Sequence, residues 1–101
     1  MDKERLYPEI DGVEKALDAF KPGEPNQDAI GAFGRLLYSF EQERDLPPKA
    51  TEVLNRVRTN FEVLFSSAKL DSYGGWNNIA RAIRCDMARL KMVVSMNAEK
   101  K

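Results

Sequence analysis

Between Pro48 and Ala68, apolar residues recur as Ala50, Leu54, Val57, Phe61, Leu64 and Ala68. That 4-3-4-3-4 spacing follows the 3.6-residue turn of an α-helix, whereas a strand alternates every second residue. Val53 and Phe65 flank the stripe. Leu46-Pro47-Pro48 precedes it, and proline is tolerated where a helix begins because the first N–H groups have no intrahelical acceptor. A chain built on this segment must find apolar faces on other helices to cover it.

Three further stretches supply such faces. Leu6, Ile10, Val13, Leu17 and Phe20 fall on one side of a first helix. Pro8 belongs in a first turn, so this helix is expected to begin near Leu6 or Tyr7. Gly12 weakens its interior by about 1 kcal/mol relative to alanine. Lys21-Pro22-Gly23-Glu24-Pro25 then breaks the pattern, and Asn26 is the expected N-cap of a second helix. That helix carries Ile30, Phe33, Leu37 and Phe40 on its stripe, widened by Leu36, while Gly31 and Gly34 allow close approach of a neighbouring helix. After Ser66-Ser67 and Lys69-Leu70, Asp71 or Ser72 can cap the fourth. Its stripe is Trp76, Ile79, Ile83, Met87, Leu90 and Val94, with regular helix delayed to Trp76 by Gly74-Gly75.

The expected helices cover approximately 6–20, 27–44, 48–68 and 73–96, with the polar tail 97–101 frayed. At 101 residues the chain can build one modest core. Four amphipathic helices with short connections form an all-α domain most simply as an antiparallel up-down-up-down four-helix bundle. Phe20, Phe33, Phe40, Phe61, Phe65 and Trp76 lie on or beside the stripes and are expected to dominate its core.

The formal net charge of zero conceals a division. Residues 1–45 hold eleven Asp/Glu against six Lys/Arg, and residues 46–101 hold five Asp/Glu against ten Lys/Arg. Such a split arises when unlike halves pack together, or when a basic surface is kept for an anionic partner. Glu41, Glu43 and Asp45 sit at the unfavourable C-terminal end of the second helix, and can fray, pair with the basic half or meet a partner. In an antiparallel bundle the basic fourth helix lies beside the acidic first, so part of the split is internal. Arg81, Arg84 and Lys91 then remain for a partner.

Chemistry is sparsely supplied. The chain has no histidine, so it lacks the usual neutral-pH base and the commonest metal ligand. Cys85 is the only cysteine, so it has neither an activating histidine nor a disulfide partner, and it is expected to pack as a small apolar group. A reducing, cytoplasmic setting suits it. The carboxylates read as solvated faces, and Gly74-Gly75 lacks the Gly-Lys-Ser/Thr continuation of a phosphate loop. No enzyme activity, cofactor or metal is expected. No apolar run approaches the ~20 residues of a membrane span, and Met1-Asp2-Lys3-Glu4-Arg5 opens no secretory signal.

Binding is the better supplied class. The fourth helix combines Arg81, Arg84, Arg89 and Lys91 with Cys85, Met87, Met92 and Met96. A basic, partly apolar helix can lie against an anionic membrane surface or dock a protein. Phosphate neutralisation could also use its arginines, but the pI of about 6.3 and the acidic first half disfavour nucleic acid. The plainer reading is core packing with a solvated cationic face.

From Leu36-Leu37-Tyr38-Ser39-Phe40-Glu41-Gln42-Glu43 to Leu46-Pro47, then through Val53-Leu54-Asn55-Arg56 to Ser67-Ala68-Lys69-Leu70, the layout resembles the immunity proteins for class IIa (pediocin-like, enterocin A-type) bacteriocins. The likeness lies in the order and spacing of elements over most of the chain. Members of that family are commonly basic, whereas this chain is neutral. The resemblance implies a cytoplasmic four-helix protein without catalytic residues. It would protect a producer cell by recognising the mannose-phosphotransferase permease once the bacteriocin has engaged it. It also implies that specificity resides in the C-terminal half. The expected contact surface is Tyr73, Trp76, Arg81, Arg84, Arg89 and Lys91, with Trp76 reassigned to the core if it is buried. The alternatives are a phage- or plasmid-type interaction subunit or inhibitor using the basic helix against an acidic protein or nucleic acid, and a bundle that dimerises through Met92 and Met96.

Overall fold

The computed structural model describes residues 2–21, 24, 26–66, 69, 72 and 74–97. It contains four long helices: α1 (Lys3–Asp18), α2 (Gln27–Glu41), α3 (Pro48–Leu64) and α4 (Trp76–Met96). Among the described residues there is no strand. The chain is the expected all-α four-helix bundle. Contacts join α1 to α2, α3 to α4 and α1 to α4. The fourth side, between α2 and α3, is bridged by side chains: Phe33 stacks on Phe61 with ring centroids 3.9 Å apart, and Arg58 meets Glu41 at 3.6 Å.

Helix α1 starts earlier than expected. Asp2 supplies the N-cap, its Oδ1 accepting from the Arg5 amide at 3.2 Å. Pro8 consequently lies in the second turn, where its missing N–H forfeits one intrahelical bond. Leu6, Ile10, Val13 and Leu17 are all fully buried, and this continuous stripe offsets the loss.

The stripe of α2 is rotated from its expected position. Ala29, Ala32, Phe33, Leu36 and Phe40 are buried, Leu37 is half-buried and Ile30 is 52% exposed. Ala29 lines the same crevice as Ala16 of α1, so a small side chain takes the inward position expected of the larger Ile30. Gly34 is exposed, and a Cβ there would touch nothing within 4 Å, so it does not serve close packing within the bundle. Asn26 precedes α2 in the left-handed region (φ 49°) but makes no side-chain cap. Its amide instead closes the preceding turn: Oδ1 accepts from the Lys21 N–H at 2.9 Å, and Nδ2 donates to the carbonyls of Lys21 and Glu24.

Helices α2, α3 and α4 end or begin inside the expected limits of 44, 68 and 73. Phe65 is the C-cap of α3, and Gly75 is the N-cap of α4 at φ 90°, a conformation that excludes ordinary side chains. The proposed cap Asp71 and the contact residue Tyr73 fall outside the described residues, as do 98–101 of the tail.

Candidate interaction surface

Helix α4 buries Ile79, Ala80, Ile83, Met87, Leu90, Val93 and Val94. Met87 is therefore core, while Met92 and Met96 are 64% and 74% exposed. Cys85 is also exposed, which corrects the expectation of a packed thiol. It follows Arg81 by four residues on the outward side of α4, where helical geometry turns it to solvent.

The cations expected to await a partner are mostly engaged. Arg84 Nη2 donates to Asp18 Oδ1 at 2.6 Å, and Lys91 Nζ lies 2.9 Å from Asp11 Oδ1 and 2.8 Å from Glu14 Oε1. Hydrogen bonding to Glu14, then to Asp11, pushes the Lys91 ammonium up from its ordinary 10.5 to about 12. Arg84 and Lys91 are therefore not an unpaired remainder. They zip α4 to α1, whose Asp11, Glu14 and Asp18 recur at helical spacing. Each exposed pair contributes about 0–1 kcal/mol, yet together they set the relative register of the two helices. Arg81 differs: it is exposed and has no hydrogen bond or ion pair with the described residues.

Arg89 turns to the other side of α4. Its Nη1 donates to Asp86 Oδ1 at 2.9 Å, and Asp86 is only 2% exposed. From α3, Arg56 Nε reaches the same oxygen at 3.4 Å, and Asn60 Nδ2 reaches Oδ2 at 3.5 Å. Arg56 also meets Glu52 at 3.3 Å. A buried carboxylate persists when charged and polar donors satisfy it, as they do here. Asp86 is therefore not one of the solvated carboxylates expected. A signal was available: 79-83-86-90-93 repeats every three or four residues, placing Asp86 on the inward stripe. A shallow groove of about 280 Å³, lined by Asn55, Arg56, Thr59 and Asn60, lies beside this network.

The loop end of the bundle is aromatic. Trp76 stacks on Phe20 with centroids 5.5 Å apart, and Phe20 meets Phe65 edge-on at 5.9 Å. Phe65 also lies 5.5 Å from Phe33. Trp76 is half-buried against the core, so it anchors α4. Phe65 is not the core residue expected: it remains 40% exposed. The acids at the far end of α2 are divided. Glu41 pairs with Arg58, Glu43 with Arg5, and Asp45 is exposed.

No described group of His, Cys, Asp or Glu is arranged to hold a metal ion, and no described helix is long and apolar enough to cross a membrane. The chain matches no protein-family model, no curated protein and no solved structure.

Proposed function

We propose that this protein acts by binding, as an immunity protein that protects a cell from a class IIa bacteriocin by engaging the receptor permease with its bound peptide from the cytoplasmic side. The observation that carries a binding role is the uneven treatment of α4. Its other cations are held by acids of the bundle, while Arg81 is exposed and has no ion pair among the described residues. An unneutralised cation on a helix held rigid by packing suits a protein partner. The assignment to bacteriocin immunity comes from the layout between Leu36 and Leu70, to which the four-helix architecture conforms. The surface is drawn on Arg81, with Arg84, Arg89 and Lys91 at its margins, while Trp76 packs against the core and anchors α4.

Co-purification tests this reading. Tagged protein expressed in a bacteriocin-sensitive strain should retain the permease after exposure to a pediocin-like peptide and release it without the peptide. Arg81→Glu should abolish retention while preserving the helical circular dichroism. Equal recovery with and without peptide, or full retention by Arg81→Glu, would contradict the proposal.

The rival reading, an interaction subunit or inhibitor using the basic helix against an acidic protein or nucleic acid, has less to draw on because Arg84, Arg89 and Lys91 pair with Asp18, Asp86, Asp11 and Glu14.

A further inference from the structure

One exposed stripe runs the length of α4. Arg81, Cys85, Ala88, Met92 and Met96 follow at 4-3-4-4 spacing on its outward side, and all five are exposed. Over this span the stripe is mainly apolar, and its two methionines are among the most exposed large apolar side chains described. Its flanks are electrically quiet. Lys91 and Arg84 are matched by acids on the α1 side, and Arg89 is matched by Asp86 on the α3 side. The stripe therefore selects neither a strongly acidic nor a strongly basic partner.

Two asymmetries within the stripe point to its occupant. The first is charge: unpaired Arg81 stands near the N-terminus of α4, while the last turn, at the negative end of the helix dipole, contains no basic residue. The second is size: small Cys85 and Ala88 lie in the middle of the stripe, with the long side chain of Arg81 before them and large Met92 and Met96 after them. Both are satisfied by the same stripe running in the opposite direction. With a two-fold axis at Ala88, Ala88 faces Ala88, Cys85 lies beside Met92 of the other copy, and Arg81 reaches the other copy's last turn near Ser95. A small central residue permits close approach, Met92 falls opposite small Cys85, and Met96 falls beside the long apolar stem of Arg81.

We infer that this protein forms a two-fold symmetric dimer through the outward stripe of α4, Arg81–Cys85–Ala88–Met92–Met96, paired antiparallel with the same stripe of a second copy. Five residues from each copy bury less than the roughly 1,200–2,000 Å² of a stable complex, so the dimer is weak and concentration-dependent. Arg81 belongs to this seam as well as to the proposed partner surface, so self-association and that partner would compete for it. The inference does not rest on the proposed immunity role, and its readout is mass rather than protection.

Sedimentation velocity on the full chain from micromolar to millimolar concentration provides the first test. Mass should rise towards that of a dimer, and Met92→Glu should weaken self-association by about tenfold or more. Because Met92 is exposed, that variant should keep its helical circular dichroism. The second test reads the axis. Met92→Cys should form covalent dimers on mild oxidation with copper–phenanthroline, by linking Cys85 to the introduced thiol of the other copy. The unaltered chain should form few, because its two Cys85 residues would lie about 9 Å apart along the axis alone, beyond the ~7 Å Cα separation a disulfide spans. A monomer at millimolar concentration, self-association indifferent to Met92→Glu, or cross-linking of Met92→Cys no faster than the unaltered chain would each overturn the inference.

Discussion

Lys91 Nζ lies 2.8 Å from Glu14 Oε1, tying the middle of α4 to the middle of α1 across the division between the basic and acidic halves of the chain. The folded state favours the protonated ammonium, raising its pKa to about 12. Between 10.5 and 12 the folded protein therefore holds a proton that the unfolded chain has released, and stability falls as pH rises through that window. Below it the contribution is complete. Lys91→Met should cost about 0.5–1 kcal/mol at neutral pH, a surface-pair value because the side chain is 41% exposed. Urea unfolding at pH 7, 10 and 11.5 should show the difference between the two proteins shrinking at the highest pH. A difference that grows with pH would reverse the sign and refute the pairing.

The Phe33–Phe61 stack carries much of the side between α2 and α3. The rings lie within 6° of parallel, and Phe33 and Phe61 are 3% and 6% exposed. Phe33→Ala should cost about 3–5 kcal/mol through lost burial and the cavity left behind. Against a typical domain stability of about 5–15 kcal/mol, such a loss should be visible as a large drop in the urea midpoint.

Asp86 should matter more than any exposed acid. Asp86→Asn leaves Arg56 and Arg89 without their shared anion at the α3–α4 seam and should cost about 1–3 kcal/mol. Its cost should shrink when Arg89 is already replaced by glutamine, because the two changes remove one interaction. Additive costs in that double-mutant cycle would show that the contact at 2.9 Å contributes little.

Glycine substitutions should divide by backbone conformation. Gly34 lies within α2 with open space at its Cβ position, so Gly34→Ala should stabilise by about 0.5–1 kcal/mol. Gly74 and Gly75 adopt φ of +85° and +90°, and a Cβ on Gly74 would collide with the Asn78 amide. Alanine at either position should destabilise the start of α4. Thermal unfolding of the three variants would check the order.

The four stripes were legible because each buries a run of apolar residues long enough to show helical period. Position-by-position detail was less legible. Ile30 outranks Ala29 in hydrophobicity, yet Ala29 is 3% exposed and Ile30 52%, a choice of face that only the packing reveals. Asn26 has the chemistry of a cap, but its amide finds three backbone partners in the turn before α2. The charge split carried real information in a form that composition could not decide. Asp11, Glu14 and Asp18 meet Lys91 and Arg84, so the apparent reserve for an anionic partner narrows to Arg81. Asp86 was hidden by the habit of assigning carboxylates to solvent, although its spacing placed it inside.

Protection of living cells addresses the central claim most directly. A strain sensitive to class IIa bacteriocins, made to express this chain, should withstand at least one pediocin-like peptide at concentrations that kill the same strain carrying an empty vector. Met92→Glu should protect equally, and Arg81→Glu should not. Undiminished killing by every peptide of a broad panel, with the protein abundant and folded in the cells, would contradict the account.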